Sequence, residues 1–211
     1  LVGSEMCIRD RIYGPAQHLL EKADLDSYTK RYIYIIKNNA DRMQKLINEL
    51  MEFRKAESGH TAIYAEKVDI HLLVDYVSDN YTEIAEENKI DFSFKSKEVS
   101  SFTTDRNSLE KIIFNLLSNA FKYTPAEKAI TIEVTKQTDK VTISVVDEGI
   151  GIEPTKLRTL FQRFETLAQQ NMLQPSSGIG LSLVKEMVDM HHGTIKVTSE
   201  PEAGSRFIVT L

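Results

Sequence analysis

The chain has 211 residues, 41% hydrophobic and 27% charged, enough for one ordinary domain with an accessory element and too apolar for a disordered or collagen-like polypeptide. Its 26 basic and 31 acidic residues leave a formal charge of -5, which gathers no nucleic-acid phosphates, and the lone Cys7 excludes an intrachain disulfide and a cysteine-based zinc site. Neither the run of about 18 apolar residues that a bilayer span needs nor the layout of a signal peptide occurs.

Residues 1 to 11 carry no sustained period. Ala16, Leu19, Leu20 and Ala23 predict the end of a helix, and the polar stretch Ala23 to Ser27 is short enough to reverse the chain. From Tyr28 to Ala56, the residues Ile33, Ile36, Ala40, Met43, Ile47 and Leu50 recur at steps of three and four, a seam facing a partner helix. Two helices cannot bury such seams alone. A dimeric four-helix bundle would bury them, and so would packing onto the rest of the chain.

Ser58-Gly59-His60 breaks this helix, so residues 58 to 65 read as a linker and a second domain begins at 66. Ile70 to Asn88 is expected as a helix with Leu72, Leu73, Tyr76, Val77 and Ile84 on one side, followed by a strand through Ile90, Phe92 and Phe94. Asp105 stands where an N-cap belongs, before Leu109, Ile112, Ile113, Leu116, Leu117 and Ala120 at helical spacing up to Pro125. Ile130 to Thr135 and Val141 to Val146 read as paired strands around Thr138-Asp139-Lys140. Gly180 to His192 is expected as a helix stopped at Gly193. Thr194 to Ser199 and Arg206 to Leu211 follow as a hairpin across Pro201-Glu202-Ala203-Gly204. The sum is an α+β two-layer sandwich, a mixed sheet under helices, preceded by an α-helical hairpin.

Three local patterns carry chemistry. Asn115, Asn119 and Lys122 form a stripe roughly 60° wide beside the apolar face of their helix. Two amide oxygens and an ammonium group there suit Mg²⁺ and the phosphates it bridges, although a solvated polar edge looks the same. Asp147-Glu148-Gly149-Ile150-Gly151-Ile152 leaves a strand: its carboxylate can accept from an exocyclic amine and its glycines let backbone pass under a flat ring walled by Ile150 and Ile152. A plain turn reads equally well. Gly178-Ile179-Gly180-Leu181 opens the last helix with N–H groups that can cradle phosphate, after a Gln- and Ser-rich stretch from Glu165 to Ser177 that reads as a lid or a loop. Neither a dinucleotide fingerprint nor a P-loop is present.

Taken in order, Asn-x-x-x-Asn-Ala-x-Lys-Tyr-Thr at 115 to 124, Asp-x-Gly-x-Gly at 147 to 151, Phe161-Gln162-Arg163-Phe164 and Gly178-Ile179-Gly180-Leu181 resemble the N, G1, F and G2 boxes of sensor histidine kinases. The resemblance spans roughly residues 12 to 211. It implies an ATP-binding domain of the GHKL type, a Bergerat fold, over residues 66 to 211, preceded at 12 to 57 by a truncated dimerisation and phosphotransfer hairpin. By that resemblance Asp147 receives the adenine amino group, Tyr123 lies against the ring, Asn119 helped by Asn115 holds Mg²⁺, and Lys122 touches phosphate. Gly149, Gly151, Ile152 and Leu181 join the ATP site, Gly178 and Gly180 shape the lid hinge and phosphate cradle, and Arg163 reaches the γ-phosphate or the helical domain.

It further implies ATP and Mg²⁺ as cofactors, a response regulator as partner, a homodimer through the hairpin, and a cytoplasmic location for this part of a membrane-anchored parent. The alternatives are a nucleotide-sensing dimer module that transfers nothing, and a serine kinase of the same fold. Two departures from the family pattern stand out. Ser176 replaces an additional glycine, which implies a stiffer or weaker lid but not a lost site. The acceptor segment His-Glu-x-x-x-Pro is absent, since residues 1 to 11 hold no histidine; they are read as foreign sequence, leaving a core unable to phosphorylate itself. His18 lacks the following acidic residue and is read as a helix-surface side chain, and His60, His71, His191 and His192, without metal-ligand spacing, are read as structural or solvent-facing.

Overall fold

The computed structural model describes residues 9–22, 25–57, 63–97, 101–137, 139–163 and 178–211. Cys7, the break at Ser58-Gly59-His60, Thr138, Phe164 and the expected lid from Glu165 to Ser177 lie outside these residues, as do the first eight residues of the segment read as foreign. The chain divides into two compact units, Leu1–Arg54 and Lys55–Leu211.

The first unit is helical. A π-helical turn, Arg9–Tyr13, runs into helix α1 (Gly14–Lys22), and helix α2 spans Ser27–Glu57. Asp26 starts α2 by accepting from the Thr29 backbone N–H at 2.9 Å and from its hydroxyl at 2.6 Å, pairing N–H groups that a helix start leaves without partners. The Lys37 ammonium lies 5.3 Å from the centre of the Tyr13 ring, as an antiparallel hairpin requires. Ala16, Ile33 and Ala40 are buried, whereas Ile36, Met43 and Leu50 of the same expected seam stay 45 to 50% exposed.

The second unit is an α+β sandwich. Its main sheet joins β2 (Asp91–Lys97), β4 (Ala129–Gln137), β5 (Lys140–Asp147), β7 (Gly204–Thr210) and β6 (Thr194–Glu200) in that spatial order. The β2–β4 pair is parallel and the others antiparallel, so the sheet is mixed. Alternate residues Ile130, Ile132, Val134, Val141, Ile143, Val145, Phe207 and Val209 are buried, the period of two that turns one strand face to a core. Over that face lie α3 (Ile70–Glu87), α4 (Arg106–Tyr123) and α6 (Gly180–Met190), with α4 touching both of the other two. A single turn, α5 (Pro154–Leu157), contacts β6.

A second, two-stranded sheet of β1 (Ala65–Asp69) and β3 (Ser101–Asp105) was not expected from the sequence. Each of these strands ends in an aspartate that caps the next helix: Asp69 accepts from Leu72 N at 3.1 Å, and Asp105 from Ser108 N at 2.7 Å. Asp105 also accepts from Tyr64 N at 2.9 Å. Burial pushes its pKa upward, but the N–H groups of Ser108 and Tyr64, with the Ser108 hydroxyl and the charge of His191, together hold the carboxyl below its ordinary value. Helix α4 runs from this cap to Tyr123, as its spacing predicts.

One expectation for α3 is corrected. Leu73 and Val77 are buried, but Leu72, Tyr76 and Ile84 are 62, 54 and 40% exposed. The buried stripe is instead Ile70, Leu73, Val74, Val77, Ser78, Tyr81 and Ala85. At 100° per residue, Leu72 and Tyr76 point well away from that stripe. Tyr81 completes it by stacking on Phe121 at 4.8 Å and donating its hydroxyl to Phe114 O at 3.2 Å, and burial raises its pKa to about 12.

Candidate functional site

At the C-terminal ends of β5 and α4 and the start of α6, a cleft opens. Six of the residues singled out from the sequence line it: Asn119, Tyr123, Asp147, Gly151, Ile152 and Leu181. Ser205 and Phe207 of β7 line it too, and the sequence reading did not name them. The alternating strand from Arg206 to Leu211 was legible, but β7 lies beside β5 only through pairing across some sixty residues, with Asp147 opposite Ser205.

Asp147 is 6% exposed. Its Oδ1 accepts from Gly149 N at 2.9 Å, and the backbone N–H of Ser205 also favours its charged form. Burial wins over both bonds and raises its pKa to about 6. A carboxylate kept mostly ionised at neutral pH, on the floor of a cleft walled by Tyr123, Ile152, Leu181 and Phe207, is an acceptor awaiting a donor from a flat, apolar-faced ligand.

The loop after Asp147 holds its course by close backbone approach. A Cβ on Gly149 would lie 2.6 Å from both Asp147 Oδ1 and Tyr123 O, and Ile150 N donates to that same Tyr123 O at 3.1 Å. Gly151 has φ +68°, and a Cβ there would fall 1.9 Å from Glu200 O. Only glycine fits both the left-handed backbone and the contact. Ile152 joins the wall, whereas Ile150, also expected there, does not line the cleft.

Along α4, Asn115 donates its amide N–H to Lys111 O at 2.9 Å and turns Oδ1 toward Gly180, the first residue of α6. Thus Asn115 faces the start of α6, while Asn119 and Leu181 line the cleft itself and Asn115 and Gly180 do not. The Lys122 ammonium lies 5.4 Å from the Tyr123 ring centre. Gly178 adopts φ +70°, two residues before the helix begins. Arg163 is exposed and lies outside the cleft lining. Among the described residues, no group of three His, Cys, Asp or Glu could hold a metal ion, and no helix is long and apolar enough to cross a membrane.

Residues 104–211 match the model of the histidine kinase-, DNA gyrase B- and HSP90-like ATPase family. The chain is 32% identical over 205 residues to histidine kinase P4 of Formosa agariphila, covering 95% of this chain and 15% of that one. It is 32% identical over 204 residues to the sensor histidine kinase TmoS of Ectopseudomonas mendocina, covering 95% of this chain and 21% of the relative. This chain therefore spans about a fifth or less of the length of those relatives.

Among solved structures, full-length ShkA in complex with AMPPNP shares the fold at a TM-score of 0.82 and 22% identity, covering 99% of this chain and 44% of that one. The histidine kinase ThkA, in complex with the response regulator protein TrrA, superposes at a TM-score of 0.71 and 24% identity, covering all of this chain and 59% of ThkA. The buried carboxylate of Asp147 and the two close-packed glycines after it thus fall within the residues of the family match. The chain belongs to the histidine kinase-, DNA gyrase B- and HSP90-like ATPase family and carries the ATP-binding domain of a sensor histidine kinase.

Proposed function

We propose that the cleft holds Mg-ATP and that this chain is the catalytic core of a two-component kinase. In that role it passes the γ-phosphoryl group to a histidine nitrogen, releasing ADP, and the phosphoryl group moves on to an aspartate of a response regulator. The observation that carries the reading is Asp147, a buried acceptor among apolar walls, suited to the adenine amino group while Tyr123 lies against the ring. Gly149, Gly151, Ile152 and Leu181 shape the base end. Lys122, Gly178 and Gly180 serve the phosphates, and Arg163 is assigned to the γ-phosphate side.

Mg²⁺ fits the donor set. Asn119 lies in the cleft and Asn115, with its N–H engaged by Lys111 O, directs a hard oxygen toward the start of α6. When bound, the ion would neutralise phosphate charge, which phosphoryl transfer needs more than covalent help from the protein. The residues of this chain orient the donor and exclude water from its base end.

The half-exposed seam of Ile36, Met43 and Leu50 supports a homodimer through the hairpin, placed at residues 12 to 57, with the ATP-binding domain at 66 to 211. ThkA's response-regulator complex supports a receiver domain as the further partner. Lacking a histidine in residues 1 to 11, the chain is expected to bind ATP without labelling itself. Mixing it with a chain that bears an acceptor-histidine segment and γ-labelled ATP tests the reading. Acid-labile label on the added chain is the expected result. ATP binding without any label would favour a nucleotide-sensing module, and label on this chain alone would point to His18.

A further inference from the structure

At the rim of the same cleft, Ser199 Oγ occupies a node between three backbone segments. It donates to Gly204 O at 2.7 Å, accepts from Ile152 N at 2.9 Å, and lies 2.9 Å from Ser205 Oγ. A serine hydroxyl has one proton and two acceptor lone pairs. The carbonyl of Gly204 can only accept, so the Ser199 proton is committed there. The amide of Ile152 can only donate, so it takes one lone pair. The remaining lone pair faces Ser205, and the Ser205 hydroxyl must therefore be the donor in that contact. Its proton is turned away toward Ser199, and Ser205 offers only lone pairs to the cleft that it lines.

We infer that Ser199 is a positioning residue that sets base selectivity by fixing the polarity of Ser205. The inference rests on the reading of the cleft as a purine nucleotide site. With the Ser205 proton sequestered, both polar side chains at this end, Asp147 and Ser205, are acceptors. A purine carrying an amino group at C6 supplies donors to them. A purine carrying an oxo group at C6 puts an acceptor there and has only its N1–H to offer, so one of the two is left with lone pairs facing lone pairs, which is costly. Ser199 itself does not line the cleft. It also ties Ile152, a cleft wall, to the β6–β7 hairpin, where Glu202 N donates to Ile150 O at 2.8 Å.

Calorimetric titration of the full chain with Mg-ATP and with Mg-ITP, its 6-oxo counterpart, tests this. The wild type should prefer ATP. Ser199→Ala frees the Ser205 proton to rotate toward the cleft and donate to a 6-oxo group, so the ATP-to-ITP preference should fall about tenfold. Ser199→Thr, which keeps the hydroxyl, should restore it. A merely structural role would weaken both nucleotides together and leave their ratio unchanged. Ser205→Ala leaves the Ser199 bonds to Ile152 and Gly204 in place and should also lower the ratio, so the inference is testable even if Ser199→Ala fails to fold. Wild-type binding of ATP with an unaltered ratio in Ser199→Ala, or in Ser205→Ala if the first variant is unfolded, overturns the inference while leaving the nucleotide site intact. No binding of ATP by folded wild type overturns both.

Discussion

The two units bury their apolar residues very differently. In α4 of the second unit, Ile112, Ile113 and Leu117 are fully buried, while in α2 of the first, Ile36 and Met43 are 50% exposed and Leu50 45%. Both helices show apolar residues at steps of three and four, so periodicity alone does not separate them. The difference is that α4 has a sheet beneath it and helices on both sides, whereas along α2 Ile33 and Ala40 are the apolar residues described as buried. A unit that closes its own core can commit polar residues such as Asp147 to a cleft. The first unit leaves half a seam exposed, which is the observation behind the proposal of a second copy of the hairpin as its occupant.

The contrast can be broken by substitution. Leu116→Ala in α4 should cost the second unit about 3 to 4 kcal/mol, read as a shift in its urea midpoint, because its site has no room to collapse. Asp147→Asn should act in the opposite sense on the unliganded protein. The folded pKa of about 6 exceeds the ordinary 3.8, so the folded state holds a proton that the unfolded state has released between these values. Stability from this group is therefore full below pH 4 and is lost as pH rises through 6, by roughly 2 to 3 kcal/mol. Thermal melts of the wild type should fall across that window, and Asp147→Asn should flatten the slope and melt higher at pH 8.

Removing the α4 cap with Asp105→Ala should cost about 1 to 2 kcal/mol in the same denaturation assay, since Ser108 N and Tyr64 N both lose their acceptor. Smallest is Ile36→Ala, expected to cost less than about 1 kcal/mol in a monomeric helix because the side chain is already half in water. Its effect should show in sedimentation as weakened self-association. A loss as large as that of Leu116→Ala at monomeric concentrations would contradict the contrast.

Much of this was legible beforehand, for local reasons. The Asp105 cap, the α4 spacing and the strand-exit Asp147 with its two glycines are each written within a few residues, and their chemistry follows from residue type. What escaped depends on pairing between distant segments. Strands β1 and β3 are five residues each, and β1 has one buried side chain, Val68, too little alternation to announce a strand. Ser205 and Phe207 reach the cleft through the register of β7 on β5, and Ser199 gains its partners only when the hairpin folds over the loop after Asp147. The expectation at Leu72, Tyr76 and Ile84 fails for a simple reason: it groups them with Leu73 and Val77 by apolar character, whereas the helical angle turns Leu72 and Tyr76 to the opposite side. Hydrophobicity overrode geometry.

The central claim is that Asp147 reads an adenine amino group in a cleft that also holds Mg-bound phosphates. Calorimetry with Mg-ATP on wild type and Asp147→Asn at pH 8, where the carboxyl is ionised and the variant folds at least as well, tests it most directly. The account predicts measurable heat for the wild type and an affinity lower by about a hundredfold in the variant. Equal affinity for the two proteins would contradict it.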